Sequence, residues 1–254
     1  MSQPDPPESS GPSTDFGFQT VPTGDKASLV RAVFDDVAPN YDVMNDLMSL
    51  GIHRLWKAAL IARLRPCAGM RLLDLGGGTG DIALRFHAKG GGPVVVCDIN
   101  REMLAVGRNR AIDQAVLGDI AWVCGDAEQL PFRDRSMDAV SIAFCLRNVT
   151  HIDRALAEAR RVLKPGGPFL CLEFSHLVVP GLAALYDRYS FSVLPWLGQK
   201  IAGNRAAYQY LAESIRRFPK QADLAARMSA AGFERVSWRN LSGGIAALHV
   251  GWRL

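Results

Sequence analysis

Residues 72–81 read Leu72-Leu73-Asp74-Leu75-Gly76-Gly77-Gly78-Thr79-Gly80-Asp81, an apolar run that breaks into a glycine-dense turn. Glycine accepts positive φ without steric cost and leaves the backbone bare, so such a turn can reverse the chain tightly and let a ligand lie against it. The spacing narrows the ligand. A dinucleotide fingerprint, G-x-G-x-x-G, begun at Gly76 requires its third glycine at position 81, and that residue is Asp81. The spaced glycines fall instead at 76, 78 and 80. Taken alone, the pattern leaves a plain strand-to-helix turn or a nucleotide-like ligand of another class.

The next two strand ends weigh on that choice. Pro93-Val94-Val95-Val96-Cys97 is the short apolar run of a parallel strand buried on both faces. It ends in Asp98, 18 residues after Gly80, where a carboxylate can accept hydrogen bonds from both hydroxyls of a ribose. A third run, Ile120-Ala121-Trp122-Val123-Cys124, leads into Gly125-Asp126-Ala127. Asp126 is either a ligand contact or a helix N-cap. The run from Asp74 to Gly80, D-x-G-x-G-x-G, resembles motif I of the S-adenosylmethionine (SAM) dependent methyltransferases. In that pattern an acid after the third strand and its neighbour's backbone read the adenine edge. The three strand ends together favour SAM over a nicotinamide dinucleotide.

A chain of 254 residues, 48% of them apolar, is long enough to bury the core of one domain. Its net charge of +4 allows attraction to anionic lipid surfaces and falls short of a nucleic-acid-binding signature. The cysteines Cys67, Cys97, Cys124, Cys145 and Cys171 form no CxxC pair and have no histidine at metal spacing. Free thiols in a reducing compartment, with no metal and no disulfide framework, are therefore expected. Residues 1–14 read as a disordered tail, since Pro, Ser, Gly, Asp5 and Glu8 leave no apolar leader. No stretch reaches the ~18 apolar residues of a membrane span. The expected location is cytoplasmic, with peripheral contact at the inner face of the membrane left open.

Helices are predicted over 25–38, with Asp25 as N-cap, and over 52–64, where Leu55, Leu60, Ile61 and Leu64 are apolar. Strands and helices then alternate: strand 71–75, helix 81–89, strand 93–98, helix 101–115, strand 120–124, strand 138–143, helix 151–163 and strand 168–174. That alternation predicts an α/β, Rossmann-like doubly wound sheet. A helix over 221–231 closes at Gly232, and strands near 234–239 and 245–252 follow. Ser242-Gly243-Gly244 is too short for a parallel crossover, so the sheet should have seven strands with an antiparallel last one. Residues 15–254 read as one domain, with N-terminal helices in 15–66 and a substrate-lid insertion at 176–220. The aromatics of that insertion, Tyr186, Tyr189, Phe191 and Trp196, suit a greasy substrate or a bilayer surface, or simply pack it onto the core.

Further segments carry a more specific resemblance. Phe16-Gly17-Phe18-Gln19-Thr20-Val21, Tyr41-Asp42-Val43-Met44-Asn45-Asp46, Gly51-Ile52-His53-Arg54-Leu55-Trp56-Lys57, Leu146-Arg147-Asn148-Val149-Thr150 and Tyr210-Leu211-Ala212-Glu213-Ser214-Ile215 resemble the ubiquinone/menaquinone biosynthesis C-methyltransferases of the UbiE type. The resemblance covers about residues 15–254. It implies methyl transfer from SAM to a ring carbon of a polyprenylated benzoquinol, a demethylmenaquinol, or both. It also implies a SAM site at Asp74, Gly76, Gly78, Thr79, Gly80, Asp98, Asp126 and Ala127. Asp126 stands where many relatives have Asn, and both types can accept from an adenine amino group. Ala143 stands at the end of the fourth strand where relatives commonly carry a serine that touches SAM, so one hydroxyl contact is lost.

The sulfonium of SAM is already a reactive methyl source, so no metal is expected and the protein's main task is alignment. A quinol becomes nucleophilic at carbon when the adjacent hydroxyl is deprotonated, so only the reduced ring should react. Arg147, always protonated, reads as a phenolate stabiliser with Asn148 placed to orient it, or else as a structural cap or ion-pair partner. His53, Asp42 and His176 are candidate bases, with His53 carried forward. Two other functions stay open: methylation of a different lipid-like acceptor such as a phospholipid amine, and a non-catalytic SAM-binding subunit of a quinone-synthesis complex. A homodimer is equally open.

Overall fold

The computed structural model describes residues 12–37, 46, 49, 51–116, 118–181, 188, 191, 192, 196, 199, 200 and 205–254. Seven strands form one sheet: β3 (Leu72–Leu75), β4 (Val94–Asp98), β5 (Ile120–Cys124), β6 (Ala139–Ala143), β7 (Pro168–Phe174), β8 (Glu234–Leu241) and β9 (Ala246–Trp252). Their spatial order is β5-β4-β3-β6-β7-β9-β8. The five on the β5 side pair in parallel, and β9 runs antiparallel between β7 and β8. The antiparallel last strand matches the short Ser242–Gly244 link. β7 is buried at all seven positions, while the edge strand β8 is mostly exposed, as its charged sequence requires.

Alternate residues of each strand feed two apolar cores. Leu72 and Val94 point into one, with Trp56, Leu60, Phe86, Tyr208, Leu211 and Ile215. Leu73, Leu75 and Val140 point into the other, with Leu156, Ala159, Leu224 and Met228. Helices α2 (His53–Leu64), α3 (Asp81–Ala88), α4 (Arg101–Asp113) and α6 (Arg205–Arg217) cover the first face, and α5 (Ile152–Val162) and α7 (Gln221–Ala230) the second. This is the doubly wound α/β plan expected from the alternating pattern.

The amino-terminal end departs from expectation. Ser13–Phe16 (β1) and Gln19–Pro22 (β2) form an antiparallel hairpin, so Ser13 and Thr14 of the presumed tail belong to a strand. The two-residue loop begins at Gly17, with φ +60°, which suits the hairpin turns that require a left-handed first residue. Helix α1 (Thr23–Val37) starts two residues earlier than predicted, so Asp25 lies in its first turn and is not its N-cap. Of the insertion, residues 176–181, a few isolated positions and the segment 205–220 with helix α6 are described. Asp42 lies outside the described residues.

Candidate active site

Sheet order reverses between β3 and β6, and open α/β sheets bind ligands at such a point, beyond the carboxyl ends of the strands. A crevice opens there. It is lined by Asp74, Leu75, Gly76, Gly77, Gly78 and Thr79 from the end of β3 onward, by Cys97 and Asp98 of β4, and by Asp126 and Ala127 after β5. Ala143, Phe144, Cys145 and Asn148 close it from the β6 side, and α1 adds Ala27, Val30, Arg31 and Phe34.

Two glycines of the turn are required sterically. Gly76 has φ +60°, and a Cβ there would run into the Cys145 side chain. Gly80 has φ +73° at the N-cap of α3, and a Cβ would stand 2.5 Å from the Trp122 ring. Gly80 therefore lies behind the crevice wall, while Gly76 and Gly78 face the crevice. The Gly76 N–H donates to the Cys97 carbonyl at 2.7 Å, which ties the turn to β4.

Three carboxylates differ in surroundings. Asp98 accepts from the backbone N–H of Gly78 at 2.9 Å and of Asn100 at 2.8 Å. Burial pushes its carboxyl up, and those amides pull it back. A carboxylate offers about four acceptor positions, so acceptor capacity remains for a ligand. Asp74 is fully buried, accepts from Ser141 Oγ at 2.9 Å on one oxygen, and has no partner on Oδ2. Burial raises it to about 7. Asp126 is exposed, and its Oδ1 caps the Glu128 N–H at 2.8 Å in a local turn, not at a helix start.

At the same end Lys57 of α2 is buried, lines the crevice and pairs with Asp81 at 2.7 Å. Burial pushes the Asp81 carboxyl up, yet Lys57 and Arg85 outweigh it and hold the group below the ordinary range. Lys57 was not singled out in the sequence. It shares a stripe of buried residues at 53, 56, 57, 60, 61 and 64, the i, i+3, i+4 spacing of a helix face.

The loop after β6 is fastened residue by residue. Arg147 Nη1 pairs with Glu173 Oε1 at 2.7 Å, both side chains being 2% exposed, and also donates to the Phe144 carbonyl at 2.5 Å. Asn148 Oδ1 accepts from the Tyr210 hydroxyl at 3.0 Å. The Val149 carbonyl accepts from Lys26 Nζ at 3.2 Å. Glu128 Oε1 accepts from the N–H groups of Thr150 and His151 at 3.0 and 2.9 Å. Of the predicted pair, Asn148 faces the crevice and Arg147 does not, because its guanidinium is engaged by Glu173 behind the loop. His53 Nδ1 lies 2.9 Å from Ser49 Oγ, and His176 Nε2 lies 2.9 Å from the Phe218 carbonyl. Neither histidine lines the crevice. Glu173, Glu128 and Lys26, which help build this loop, went unmarked in the sequence, and Tyr210 entered only as part of a family-like segment, because each acts through tertiary contact. Among the described residues no His, Cys, Asp and Glu cluster could hold a metal ion.

A seven-stranded sheet with a glycine-turn crevice at its switch point, flanked by acids ending successive strands, defines a SAM-dependent methyltransferase. A solved SAM-dependent methyltransferase from Thermotoga maritima superposes with a TM-score of 0.62 over 88% of this chain and 99% of its own, at 20% identity. The chain belongs to the ubiE/COQ5 methyltransferase family, whose model matches residues 22–253. It is 60% identical to the ubiquinone/menaquinone biosynthesis C-methyltransferase UbiE of Acidiphilium cryptum (strain JF-5), over 97% of this chain and 99% of that protein. It is 50% identical to the mitochondrial 2-methoxy-6-polyprenyl-1,4-benzoquinol methylase of Mus musculus, over 95% of this chain and 84% of that one.

Proposed function

We propose that this chain methylates a ring carbon of a polyprenylated benzoquinol, a demethylmenaquinol, or both, with SAM as donor. The observation that carries the acceptor is the 60% identity, across nearly the whole chain, to a protein named for that reaction. The crevice fits the donor on independent grounds. The backbone of Gly76, Gly77 and Gly78 lines the crevice, and the buried Asp74 Oδ2 lacks a partner that a ligand ammonium would supply. Asp98 would accept from the ribose hydroxyls, Asp126 from the adenine amino group, and Thr79 and Ala127 would line the same site. Ala143 offers no hydroxyl there, a loss worth ~0.5–1.5 kcal/mol for one neutral hydrogen bond.

When bound, SAM supplies an electrophilic methyl group on its sulfonium. The protein's part is to hold an electron-rich ring carbon in line with it and to keep bulk water out. Asn148, on the rim opposite Asp98, is the polar group of the 147–148 pair that can touch the acceptor. Arg147 and Glu173 hold the backbone behind it, which reassigns Arg147 from phenolate contact to loop support. The 176–220 insertion is the part we assign to the isoprenoid tail and to the bilayer that holds it. Trp196 is 56% exposed, and Phe191 lies under the Arg216 guanidinium at 5.8 Å, an amphipathic surface of aromatic and cationic groups. Among the described residues no helix is long and apolar enough to cross a membrane.

The redox state of the acceptor tests the reading. An anaerobic assay with a reduced demethylated quinol should give a product in which a methyl group replaces a ring hydrogen, the hydrogen leaving as a proton, and pre-oxidised quinone should give almost none. Equal rates with the two would remove carbon nucleophilicity from the mechanism, and no product with either would remove the acceptor.

A further inference from the structure

Asn148 is tied to the amino-terminal hairpin through one aromatic side chain. Its Oδ1 accepts from the Tyr210 hydroxyl, and Tyr210 is 6% exposed in α6, behind the loop and outside the crevice. The Tyr210 ring stacks on Phe16 of β1 with centroids 4.3 Å apart and planes 22° apart. The hairpin is held on α6 in turn by the Phe18 N–H, which donates to Glu213 Oε2 at 2.9 Å. Burial keeps the phenol protonated by pushing its pKa up, so the hydroxyl has a proton to give.

An asparagine amide has an acceptor end and a donor end, and a hydrogen bond to one fixes the direction of the other. With Oδ1 turned back onto Tyr210, the Nδ2 end is turned away from it, and among the described residues no hydrogen bond engages that end. Asn148 itself lines the crevice. We infer that Tyr210 is a positioning residue that sets the Asn148 amide with its N–H groups toward the acceptor, where they donate to the ring oxygen beside the carbon to be methylated. A donor at that oxygen favours its deprotonated form. The deprotonated oxygen is what makes the neighbouring carbon nucleophilic. The inference rests on the quinol reading above and assigns the contact that selects which ring oxygen is activated.

Tyr210→Phe keeps the ring and its stack on Phe16 and removes only the hydroxyl. Its kcat should fall about tenfold, with KM for SAM unchanged and the melting temperature lowered by only a few degrees, the cost of one lost buried hydrogen bond. The acid limb of its kcat profile should move up by about one pH unit, because the acceptor oxygen loses its oriented donor. Asn148→Ala should fall about a hundredfold, on the scale of a removed oxyanion donor. The double variant should fall no further than Asn148→Ala alone. Asn148→Asp, which can still accept from Tyr210 but cannot donate, should be as impaired as Asn148→Ala. Losses that multiply in the double variant, an Asn148→Asp enzyme with more than half the wild-type kcat, or an unshifted pH profile in Tyr210→Phe would each overturn the inference. Wild-type protein in the same assay separates this failure from that of the parent reading: if it makes no methylated quinol, the acceptor is wrong, whereas an active wild type isolates the fault to Tyr210.

Discussion

At the scale of single residues the site trades stability for binding, and Asp74 shows the trade most directly. A carboxyl fully buried beneath the glycine turn, with one oxygen bonded to Ser141 and the other bare, costs folding free energy once it ionises. Its pKa rises from 3.8 to about 7 on folding, burial being the largest cause. Between those values the folded state binds more protons than the unfolded one, so this group's contribution to stability falls as pH rises from about 4 to about 7. The full penalty stands above that range and is about 4 kcal/mol at most, at 1.36 kcal/mol per unit. Asp74→Asn keeps an acceptor for Ser141 and cannot ionise. The ligand-free variant should therefore be more stable than wild type at pH 8 and no more stable at pH 4, while binding SAM more weakly. Urea unfolding at the two pH values checks this, and an identical pH dependence in variant and wild type would refute the burial argument. Arg147 makes the complementary point. Its charge was legible in the sequence, but its partner, Glu173, lies 26 residues on in β7 and meets it only in the folded sheet.

At the scale of elements, legibility followed the range of the interaction. The alternation of β and α and the antiparallel last strand could be read because each depends on local periodicity and loop length, whereas the switch point follows from a strand order that only tertiary pairing sets. Strands β5 and β7 were placed to the residue, and the crevice acids Asp74, Asp98 and Asp126 came with the strand ends. Helix α2 was found with part of its face misread. Leu55 was counted apolar yet is 70% exposed, whereas Lys57 is buried in the stripe because Asp81 balances its charge. The hairpin was missed because four-residue strands rich in Ser, Thr, Asp and Gln show no core-facing alternation; their order comes from docking on α6. Gly17 is the hinge of that docking. It is buried at φ +60°, and a Cβ would run into Glu213 Oε2, the group that holds the Phe18 N–H. Gly17→Ala should cost about 1–2 kcal/mol in left-handed strain alone. It should also speed proteolytic cleavage near Phe18 and lower kcat through Tyr210. A variant with wild-type urea midpoint and wild-type cleavage rate would mean that the hairpin docks without Gly17.

At the scale of the whole molecule, the crevice draws on elements far apart in the chain, from α1 to the loop after β6. Residues from β3, β4, the turn after β5, the loop after β6, α1 and α2 all line it. A ligand seated there bridges both halves of the sheet about its switch point, so binding should stabilise the fold as a unit. S-adenosylhomocysteine, the demethylated product of the donor, keeps the adenosine and amino-acid groups and is a stable probe. At a hundredfold excess over its Kd, mass action adds about 2.7 kcal/mol to the folded state. For a chain near 250 residues, each kcal/mol shifts Tm by roughly 2–4 °C, so the rise should be about 5–11 °C. Asp98→Ala removes the carboxylate that would take both ribose hydroxyls and should weaken binding by roughly 1.5–3 kcal/mol, the range for hydrogen bonds to a charged group. At the same ligand concentration that loss takes away from about half to nearly all of the shift. Leu55→Ala, at an exposed position outside the crevice, serves as the contrast and should keep most of it. If wild type and Asp98→Ala melt together with ligand present, the ribose is not held at β4. If neither shifts, the crevice does not take the nucleoside.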